Sequence, residues 1–269
     1  MTLKKRIIPC LLLNKWLLAK TIKFGEIRNL GNAAQAAKVY NMRNVDELMF
    51  LDIQACRENK EHNLELVKEL ADECFMPLTL GGGVKSVEDM NKLLQAGADK
   101  IAINTAAVET PELITNGAQK FGSQCIVVSI DAKKTEKGYE VFIQSGKKAT
   151  GLDPVEWAKK VEDLGAGEIL ITSIDKDGTF EGFDQELTKN VSEAVKIPVI
   201  ANGGAGKPKD FVDAVKIGGA SAVAAASIFQ YTQYSPVAVR EHMAEAGIDV
   251  RTNVYAEHLT GSDLKFSIT

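Results

Sequence analysis

A carboxylate that directly follows an apolar run is the most chemically suggestive feature of this sequence. Residues 125–130 are apolar except for Ser129 and are largely β-branched, and Asp131 comes directly after them. An acidic residue in that place has little structural purpose unless it faces an open site, the alternative being that it caps a neighbouring element. Asp52 follows a similar run, whereas Asp177 could equally be a turn residue. Asp131 is therefore our candidate for proton transfer.

Two glycine-rich stretches have the composition of a phosphate site. Residues 198–207 contain Gly203 and Gly204 after an apolar run, and residues 77–85 contain Gly83 in the same setting, 121 residues earlier. A strand that passes through glycines into a helix start bares backbone N–H groups, which suit an anion. Ordinary turn chemistry explains one such stretch equally well, but not two in register. The pair predicts a ligand with phosphate, or an equivalent anionic group, at both ends.

The two glycine-rich stretches belong to a longer internal repeat, which indicates the fold. At the same offset, residues 44–48 match 165–169, and residues 33–38 match 154–159. Short β-rich runs alternate with helix-like segments, and their spacing in the first half nearly recurs in the second. These runs begin near Arg6, Glu47, Met76, Asp99, Gln124, Glu168, Ile197 and Ala222.

Eight strands alternating with eight helices in about 250 residues predict an α/β fold, the (β/α)₈ TIM barrel, built from two similar four-unit halves. The alternative, a doubly wound sheet, does not naturally divide into two equal halves of four units. We expect one barrel over residues 1–251, with half-barrels at about 1–122 and 123–251, and a tail over 252–269. Good helix starts are predicted at Asn32, Ser86, Thr110 and Asp153.

In such a barrel the chemistry lies at the carboxyl ends of the strands. Lys20, in the first loop, could cover the ligand there, the alternative being a solvated lysine. Alignment of the first strand with the fifth places Leu12 opposite Asp131, so the carboxylate has no acidic counterpart in the other half. The residues that we expect to contact a ligand are Lys20, Asp52, Gly83, Asn104, Thr105, Ser145, Thr172, Asp177, Gly178, Gly203, Gly204, Ala226 and Ser227.

Composition excludes several other classes of function. The net charge of −4 and the scattered lysines and arginines argue against nucleic-acid binding. The four cysteines have no metal-ligand spacing, and the three histidines cannot be grouped, so we expect neither a metal nor a cofactor. The apolar run after Arg6 stops at Asn14 without a cleavage site and predicts a buried strand rather than a signal peptide. We therefore expect a cytoplasmic protein with no membrane segment.

Several motifs together resemble the HisF family, the cyclase subunit of imidazole glycerol phosphate synthase. They are residues 6–11 (RIIPCL), 47–52 (ELMFLD), 80–84 (LGGGV), 103–108 (INTAAV) and 172–178 (TSIDKDG), and the likeness runs from about residue 4 to 251. The resemblance implies a barrel that takes ammonia from a HisH-type glutaminase docked at its amino-terminal face and uses it at the opposite face. It also implies that Asp131 is the catalytic aspartate of the fifth strand. The family's other catalytic aspartate is replaced here by Leu12.

The resemblance assigns further residues to the ammonia path. Four charged residues correspond to those that ring the channel entrance in the family: Arg6, Glu47, Lys100 and Glu168. Asp99 corresponds to a position that faces the glutaminase. A structural clamp on the barrel floor is the alternative role of the four charges, since such charges are costly to bury unless paired.

The first-strand sequence and Leu12 together resemble a HisF-like branch linked to acetamidino modification of bacterial surface sugars. Our first hypothesis is that the barrel delivers ammonia from the glutaminase to a third amidotransferase protein for this sugar chemistry. The second is an imidazole glycerol phosphate synthase cyclase of histidine biosynthesis, which uses Asp131 with some other base. The third is a non-catalytic barrel that binds a phosphorylated ligand and regulates the glutaminase.

Overall fold

A computed structural model describes residues 4–15, 17–58 and 63–251. The expected tail at 252–269 lies outside the described residues. The strands are β1 (Arg6–Asn14), β2 (Leu17–Lys20), β3 (Arg28–Asn32), β4 (Leu48–Asp52), β5 (Leu78–Gly81), β6 (Lys100–Ile103), β7 (Ile126–Thr135), β8 (Gly138–Ile143), β9 (Lys148–Ala149), β10 (Glu168–Ser173), β11 (Val199–Asn202) and β12 (Ala222–Ala225). The helices are α1 (Ala33–Met42), α2 (Ile53–Glu58), α3 (Leu64–Asp72), α4 (Val87–Gln95), α5 (Thr105–Glu109), α6 (Glu112–Phe121), α7 (Pro154–Asp163), α8 (Gln185–Ala194), α9 (Pro208–Lys216), α10 (Ser227–Tyr231) and α11 (Pro236–Glu245), with a 3₁₀ turn at Ser123–Cys125.

Eight of the strands form a closed parallel barrel, as the sequence predicted. Their order is β1, β4, β5, β6, β7, β10, β11 and β12, and β12 pairs with β1 to close the ring. Each strand of the first half has a counterpart about 120 residues later in the second half. The carboxyl ends of all eight strands therefore surround one mouth.

The remaining four strands are hairpin extensions that the sequence reading did not predict. β1 continues past the barrel and pairs antiparallel with β2, which pairs with β3. β7 does the same with β8 and β9. Because a strand that leaves the barrel loses its parallel neighbours, folding back satisfies its backbone N–H and C=O groups. The two extensions start from corresponding strands of the two halves.

Three of the four predicted helix starts are present. The side chains of Asn32, Ser86 and Asp153 accept hydrogen bonds from backbone N–H groups of α1, α4 and α7. The prediction for Thr110 is wrong, because Thr110 ends the short helix α5, and Pro111 takes the N-cap position of α6. None of the helices in the described ranges is long and apolar enough to cross a membrane.

Buried apolar side chains form two separate cores. The larger lies between the outside of the barrel and its helices. The smaller fills the barrel interior, and its buried members are Ile8, Cys10, Met49, Ala102, Val127, Leu170, Ile200, Ala222 and Ala224. Because the eight barrel strands are covered on both faces, their sequences are largely apolar at consecutive positions rather than alternating. The inner core separates the mouth of the barrel from its floor.

Candidate functional site

A cavity of about 520 Å³ opens at the carboxyl ends of the barrel strands. It contains all the residues that the sequence reading assigned to a ligand or to proton transfer. These lining residues are Lys20, Asp52, Gly83, Asn104, Thr105, Asp131, Ser145, Thr172, Asp177, Gly178, Gly203, Gly204, Ala226 and Ser227. The chain thus brings residues from both halves into one mouth cavity.

Asp131 lies on β7 with its carboxylate buried in the wall of the mouth cavity. The Nδ2 group of Asn104 donates a hydrogen bond to its Oδ2 at 3.2 Å. Burial, and then the nearby negative charge of Asp177, raise the pKa of the Asp131 carboxyl to about 7, against the hydrogen bonds of Thr172 and Ser129, which lower it. At neutral pH both protonation states are populated, so Asp131 can donate or accept a proton.

Lys20 and Asp177 form a buried ion pair at the same mouth. The Lys20 Nζ lies 3.3 Å from Asp177 Oδ1, and the hydroxyl of Thr21 donates to Asp177 Oδ2 at 3.4 Å. Lys20 is only 7% exposed, so the alternative of a solvated lysine is wrong. The pair fixes the first loop to the loop after β10 and places a cation beside the cavity.

The two glycine turns approach neighbouring backbone too closely for any side chain. Gly83 has φ of +73°, and a Cβ there would lie 2.7 Å from the Cβ of Ala55. Gly204 has φ of +107°, and a Cβ there would collide with the carbonyl oxygen of Gly182. Both positions therefore require glycine for conformation and for space.

A short helix starts next to each glycine turn. α5 and α10 begin at Thr105 and Ser227, and their N-cap residues, Asn104 and Ala226, make no side-chain cap hydrogen bond. The first N–H groups of a helix have no acceptor within the helix. Each half of the barrel thus presents a glycine turn and an uncapped helix start to the cavity, an arrangement suited to an anion.

Comparison with known proteins shows the family of this chain. The family model described as "Histidine biosynthesis protein" matches residues 6–235. The chain belongs to this family. Two proteins named "Imidazole glycerol phosphate synthase subunit HisF", from two strains of Dehalococcoides mccartyi, are 51% and 50% identical to it over 249 residues, which are 93% of this chain and 98% of each relative.

At the opposite end of this histidine-biosynthesis-family barrel, four charged side chains close into a ring. Arg6 lies 2.6 Å from Glu47 and 2.9 Å from Glu168, and Lys100 lies 2.9 Å from Glu47 and 3.2 Å from Glu168. Glu47, 1% exposed, also accepts from the hydroxyl of Thr79 at 2.7 Å. Each charge contacts two of opposite sign, which offsets the cost of burying them. We name these four residues the floor ring.

Two acidic residues of the family barrel have structural bonds that the sequence reading did not foresee. Asp52 Oδ1 accepts from the backbone N–H groups of Gln54 and Ala55 at 2.8 and 2.9 Å, so it holds the start of α2 as well as lining the cavity. Asp99 is exposed on the floor side, and its Oδ2 accepts from the backbone N–H of Leu78 at 2.8 Å. Both carboxylates therefore have a structural role, whether or not they also have the predicted ligand or partner contact.

The first-strand side of the mouth is apolar. Leu12 and Leu51, neighbours in the register of β1 and β4, both line the cavity, with Cys10 beside them. Burial raises the pKa of the Cys10 thiol to about 12, so it keeps its proton at neutral pH. None of these three side chains can therefore serve as an acid/base group to match Asp131.

Sequence reasoning did not assign several other cavity residues of this family member. They include Thr21, Phe24, Lys85, Gln144 and Lys147. The lysine at 85 could have been inferred, since it comes two residues after Gly83. Asn202 ends β11 and donates to the hydroxyl of Thr172 at 3.1 Å, a contact between residues 30 positions apart that no local pattern reveals.

Proposed function

We propose that this chain is the ammonia-using barrel subunit of a synthase of the imidazole glycerol phosphate synthase type, acting with a HisH-type glutaminase. The names and near-complete coverage of the two relatives support this reading, and they favour histidine biosynthesis over sugar modification. The observation that carries the proposal is the placement of Asp131, with a pKa of about 7, in one cavity with both glycine turns.

A substrate with a phosphate at each end fits this geometry. Each phosphate would bind one glycine turn and its helix start, which fixes the middle of the substrate near Asp131. Protonated Asp131 can supply a proton to a leaving group, and ionised Asp131 can take one from the attacking ammonia nitrogen. Asn104 orients the carboxylate in either state.

The floor ring supports an ammonia route along the barrel axis. Its charges sum to zero, and it lies below the apolar inner core, which includes Cys10 and against which Leu51 packs. A neutral molecule such as ammonia enters an apolar core at far lower cost than an ion does. We therefore place the glutaminase at the floor and the ammonia acceptor at the mouth.

Leu12 favours a second candidate function. General acid/base groups typically contribute about 10²- to 10⁴-fold each, so a site in which Asp131 has no counterpart on the first strand is a poor place for chemistry that needs a carboxylate from each half. In this second candidate the barrel conducts ammonia from the glutaminase to a third protein, an amidotransferase that makes the acetamidino group of a surface sugar. A barrel that only regulates its glutaminase is the remaining alternative.

One assay separates these functions. The purified chain is incubated with free ammonium and the phosphorylated nucleotide substrate of the imidazole glycerol phosphate synthase reaction, with Asp131→Asn as control. Turnover that the control lacks supports the synthase. If turnover is absent, glutamine-derived nitrogen that reaches a sugar through a third protein supports the second candidate. Stimulation of the glutaminase without either result supports regulation.

A further inference from the structure

Asp46 lies next to the floor ring with its carboxylate buried. The residue is 9% exposed, and the next residue along the chain is Glu47, a member of the ring. Asp46 Oδ2 accepts a hydrogen bond from the backbone N–H of Ile7 at 2.9 Å, and Ile7 directly follows Arg6, another ring member. One carboxylate therefore joins the two chain segments that carry oppositely charged members of the ring.

The strand register explains why the Ile7 N–H uses this acceptor. The pairing of β1 with β4 begins at Cys10 and Met49, so Ile7 precedes the residues that these two strands pair. A buried backbone N–H without an acceptor is costly. The Asp46 carboxylate supplies an acceptor where β4 has not yet begun, and it ties the lower end of β1 to the segment that starts β4.

Asp99 makes the same kind of bond at another pair of strands. Its Oδ2 accepts from the Leu78 N–H at 2.8 Å, and Leu78 precedes the first paired residues of β5 and β6. Asp99 also directly precedes a ring member, Lys100. In both places an aspartate one residue before a ring member accepts from the base of the preceding barrel strand. This recurrence indicates an arrangement that places ring side chains rather than an isolated bond.

In the second half of the barrel a glycine takes the place of Asp46. At the offset of 121 residues Asp46 corresponds to Gly167, which directly precedes the ring member Glu168. The backbone N–H of Gly167 donates to the carbonyl of Ile126 at 2.9 Å, and a Cβ at Gly167 would collide with the carbonyl group of Ser123. Close approach of the two backbones therefore positions Glu168, whereas a side chain bridges the strands at Asp46.

Arg240 of α11 holds the Asp46 carboxylate from a third segment of the chain. Its Nη2 lies 3.2 Å from Asp46 Oδ1 and donates to the Asn44 carbonyl at 2.8 Å. Arg240 is only 3% exposed, so the pair lies in the protein interior. A buried carboxylate is costly unless it is paired and hydrogen-bonded, and the guanidinium and the Ile7 N–H meet both needs. The helix α11 thus fixes the segment that leads into β4.

We infer that Asp46, held by Arg240, is a positioning residue for the floor ring, which keeps Arg6 and Glu47 in place for their ion pair. The 2.6 Å between Arg6 Nη1 and Glu47 Oε2 depends on how the base of β1 lies against the start of β4. The bond between Asp46 and Ile7 sets that placement. The inference rests on the proposed function only in taking the ring as the ammonia entrance.

A double-mutant cycle measured by urea denaturation tests the positioning role. Arg6→Met removes one ring cation, and its effect on the unfolding equilibrium constant is compared in the parent protein, Asp46→Ala and Asp46→Asn. In Asp46→Ala this effect should be at least about threefold smaller, because the contributions of residues in one network are not additive. Asp46→Asn keeps an oxygen for the Ile7 N–H, so the effect should stay within about twofold of that in the parent.

The two variants separate position from charge. Both remove the negative charge of Asp46, so a direct attraction between Asp46 and Arg6 would reduce the Arg6→Met effect equally in both. Glu162→Ala is the matched control. Glu162 Oε1 accepts from the backbone N–H of Ile197 at 3.1 Å, two residues before β11, a strand that carries none of the four ring residues. The Arg6→Met effect should be unchanged in this control.

A further variant keeps the test available if Asp46→Ala does not fold. Asp46→Leu combined with Arg240→Met replaces the buried ion pair with apolar side chains, which is often tolerated, and loses the same bond to Ile7. It should reduce the Arg6→Met effect as Asp46→Ala does.

A second readout is the product formed per glutamine hydrolysed with a HisH-type glutaminase bound. This ratio should fall in Asp46→Ala and be retained in Asp46→Asn, because a displaced ring loses ammonia to solvent. The rate with free ammonium should not change in either variant, since free ammonia reaches the mouth without passing the ring. A loss of folded protein alone would lower both rates together.

Two outcomes of the denaturation cycle would overturn the inference: an Arg6→Met effect that is the same in Asp46→Ala as in the parent, or one that falls equally in Asp46→Ala and Asp46→Asn. The cycle needs no turnover, so it is scored separately from the proposed function. The expected cycle in a chain that makes no product keeps the positioning role and loses the synthase role. Turnover with an additive cycle keeps the synthase role and loses the positioning role.

Discussion

Lys20 and Asp177, 157 positions apart in the chain, meet as a buried ion pair with 3.3 Å between Nζ and Oδ1. The pair joins the first loop of one half-barrel to the β10 loop of the other. The charge of Lys20 also partly compensates the negative charge of Asp177, which lies close to Asp131.

We expect Lys20→Met to lower the free energy of unfolding by about 3 to 5 kcal/mol, because it leaves Asp177 buried without its cation. The double variant Lys20→Met with Asp177→Asn should lose less, since no unpaired charge remains. Urea denaturation measures both. Lys209→Met breaks the exposed pair with Asp213 and is the matched control, with an expected loss below about 0.5 kcal/mol. Equal losses for Lys20→Met and Lys209→Met would contradict the prediction.

The pKa of Asp131 predicts how stability depends on pH. It is raised from 3.8 to about 7, so the folded protein binds this proton more tightly than the unfolded chain. The resulting stability is fully present below about pH 4 and is lost as the pH rises through 7. Asp131→Asn should therefore raise the free energy of unfolding at pH 8, by up to about 4 kcal/mol, and change it little at pH 4.

Urea denaturation across this pH range is the measurement. In a protein that keeps Asp131, Asp177→Asn removes the neighbouring negative charge and should lower the pKa of Asp131. The loss of stability with rising pH should then begin at a lower pH than in the parent protein. If Asp131→Asn and the parent protein have the same free energy of unfolding at every pH, the raised pKa of Asp131 is refuted.

Leu12→Asp supplies a carboxylate on the first-strand side of the mouth, opposite Asp131. If acid/base chemistry is limited by its missing partner, turnover with free ammonium should rise about 10²-fold or more. Leu12→Asn has the same shape without the charge and should not show this gain. Both variants should be less stable than the parent, because they place a polar group beside Leu51 and Cys10. A rate that does not change in Leu12→Asp would mean that the site is built for another reaction.

Gly204→Ala should lower the free energy of unfolding by more than the backbone strain of a positive φ alone would, because it also creates a steric clash. Its φ of +107° disfavours alanine, and the new Cβ would meet the carbonyl of Gly182. Gly138→Ala is the control, because Gly138 has φ of +117° and open space around it. We expect about 1 to 2 kcal/mol for the control and a larger loss at Gly204, measured by denaturation. A Gly204→Ala loss no greater than the control's would show that the turn can relax.

Asp99 separates partner binding from folding. Asp99→Asn removes its charge but keeps an oxygen that can accept from the Leu78 N–H, so stability should hold while stimulation of a HisH-type glutaminase falls. Asp99→Ala also loses that hydrogen bond and should cost a further ~1 kcal/mol of stability. Glutaminase rates and denaturation curves are the two measurements. Unchanged stimulation in both variants would remove Asp99 from the interface.

The sequence was sufficient for the barrel because its signals repeat. Ordinary turn chemistry can explain either glycine turn alone. Two such turns at the same offset, with matching strands around them, are compatible with only a few folds. The identity of the cavity residues followed from the barrel, since strand ends must converge on one mouth. This is why the sequence alone was enough to predict that Asp131, Asn104 and Thr172 lie at one mouth.

Contacts that depend on loop paths could not be predicted in this way. Nothing local marks Lys20 as the partner of Asp177, and nothing in the sequence marks Phe180 for the left-handed backbone, with φ of +62°, that it adopts. The Thr110 prediction failed because an unforeseen short helix, α5, took that residue as its end. The helix-capping bonds of Asp52 were missed for a similar reason, since α2 is an insertion between strand and barrel helix.

The duplicated glycine turns are alike enough that a molecule with a phosphate at each end would meet similar surroundings whichever end entered first. Only one of these two orientations sets the reacting atoms correctly against Asp131, because Leu12 occupies the matching place in the other half. The reversed orientation would be a dead end that occupies the site. A barrel with two equivalent carboxylates could tolerate that ambiguity, whereas under the proposed function this one would have to recognise which end of its substrate is which.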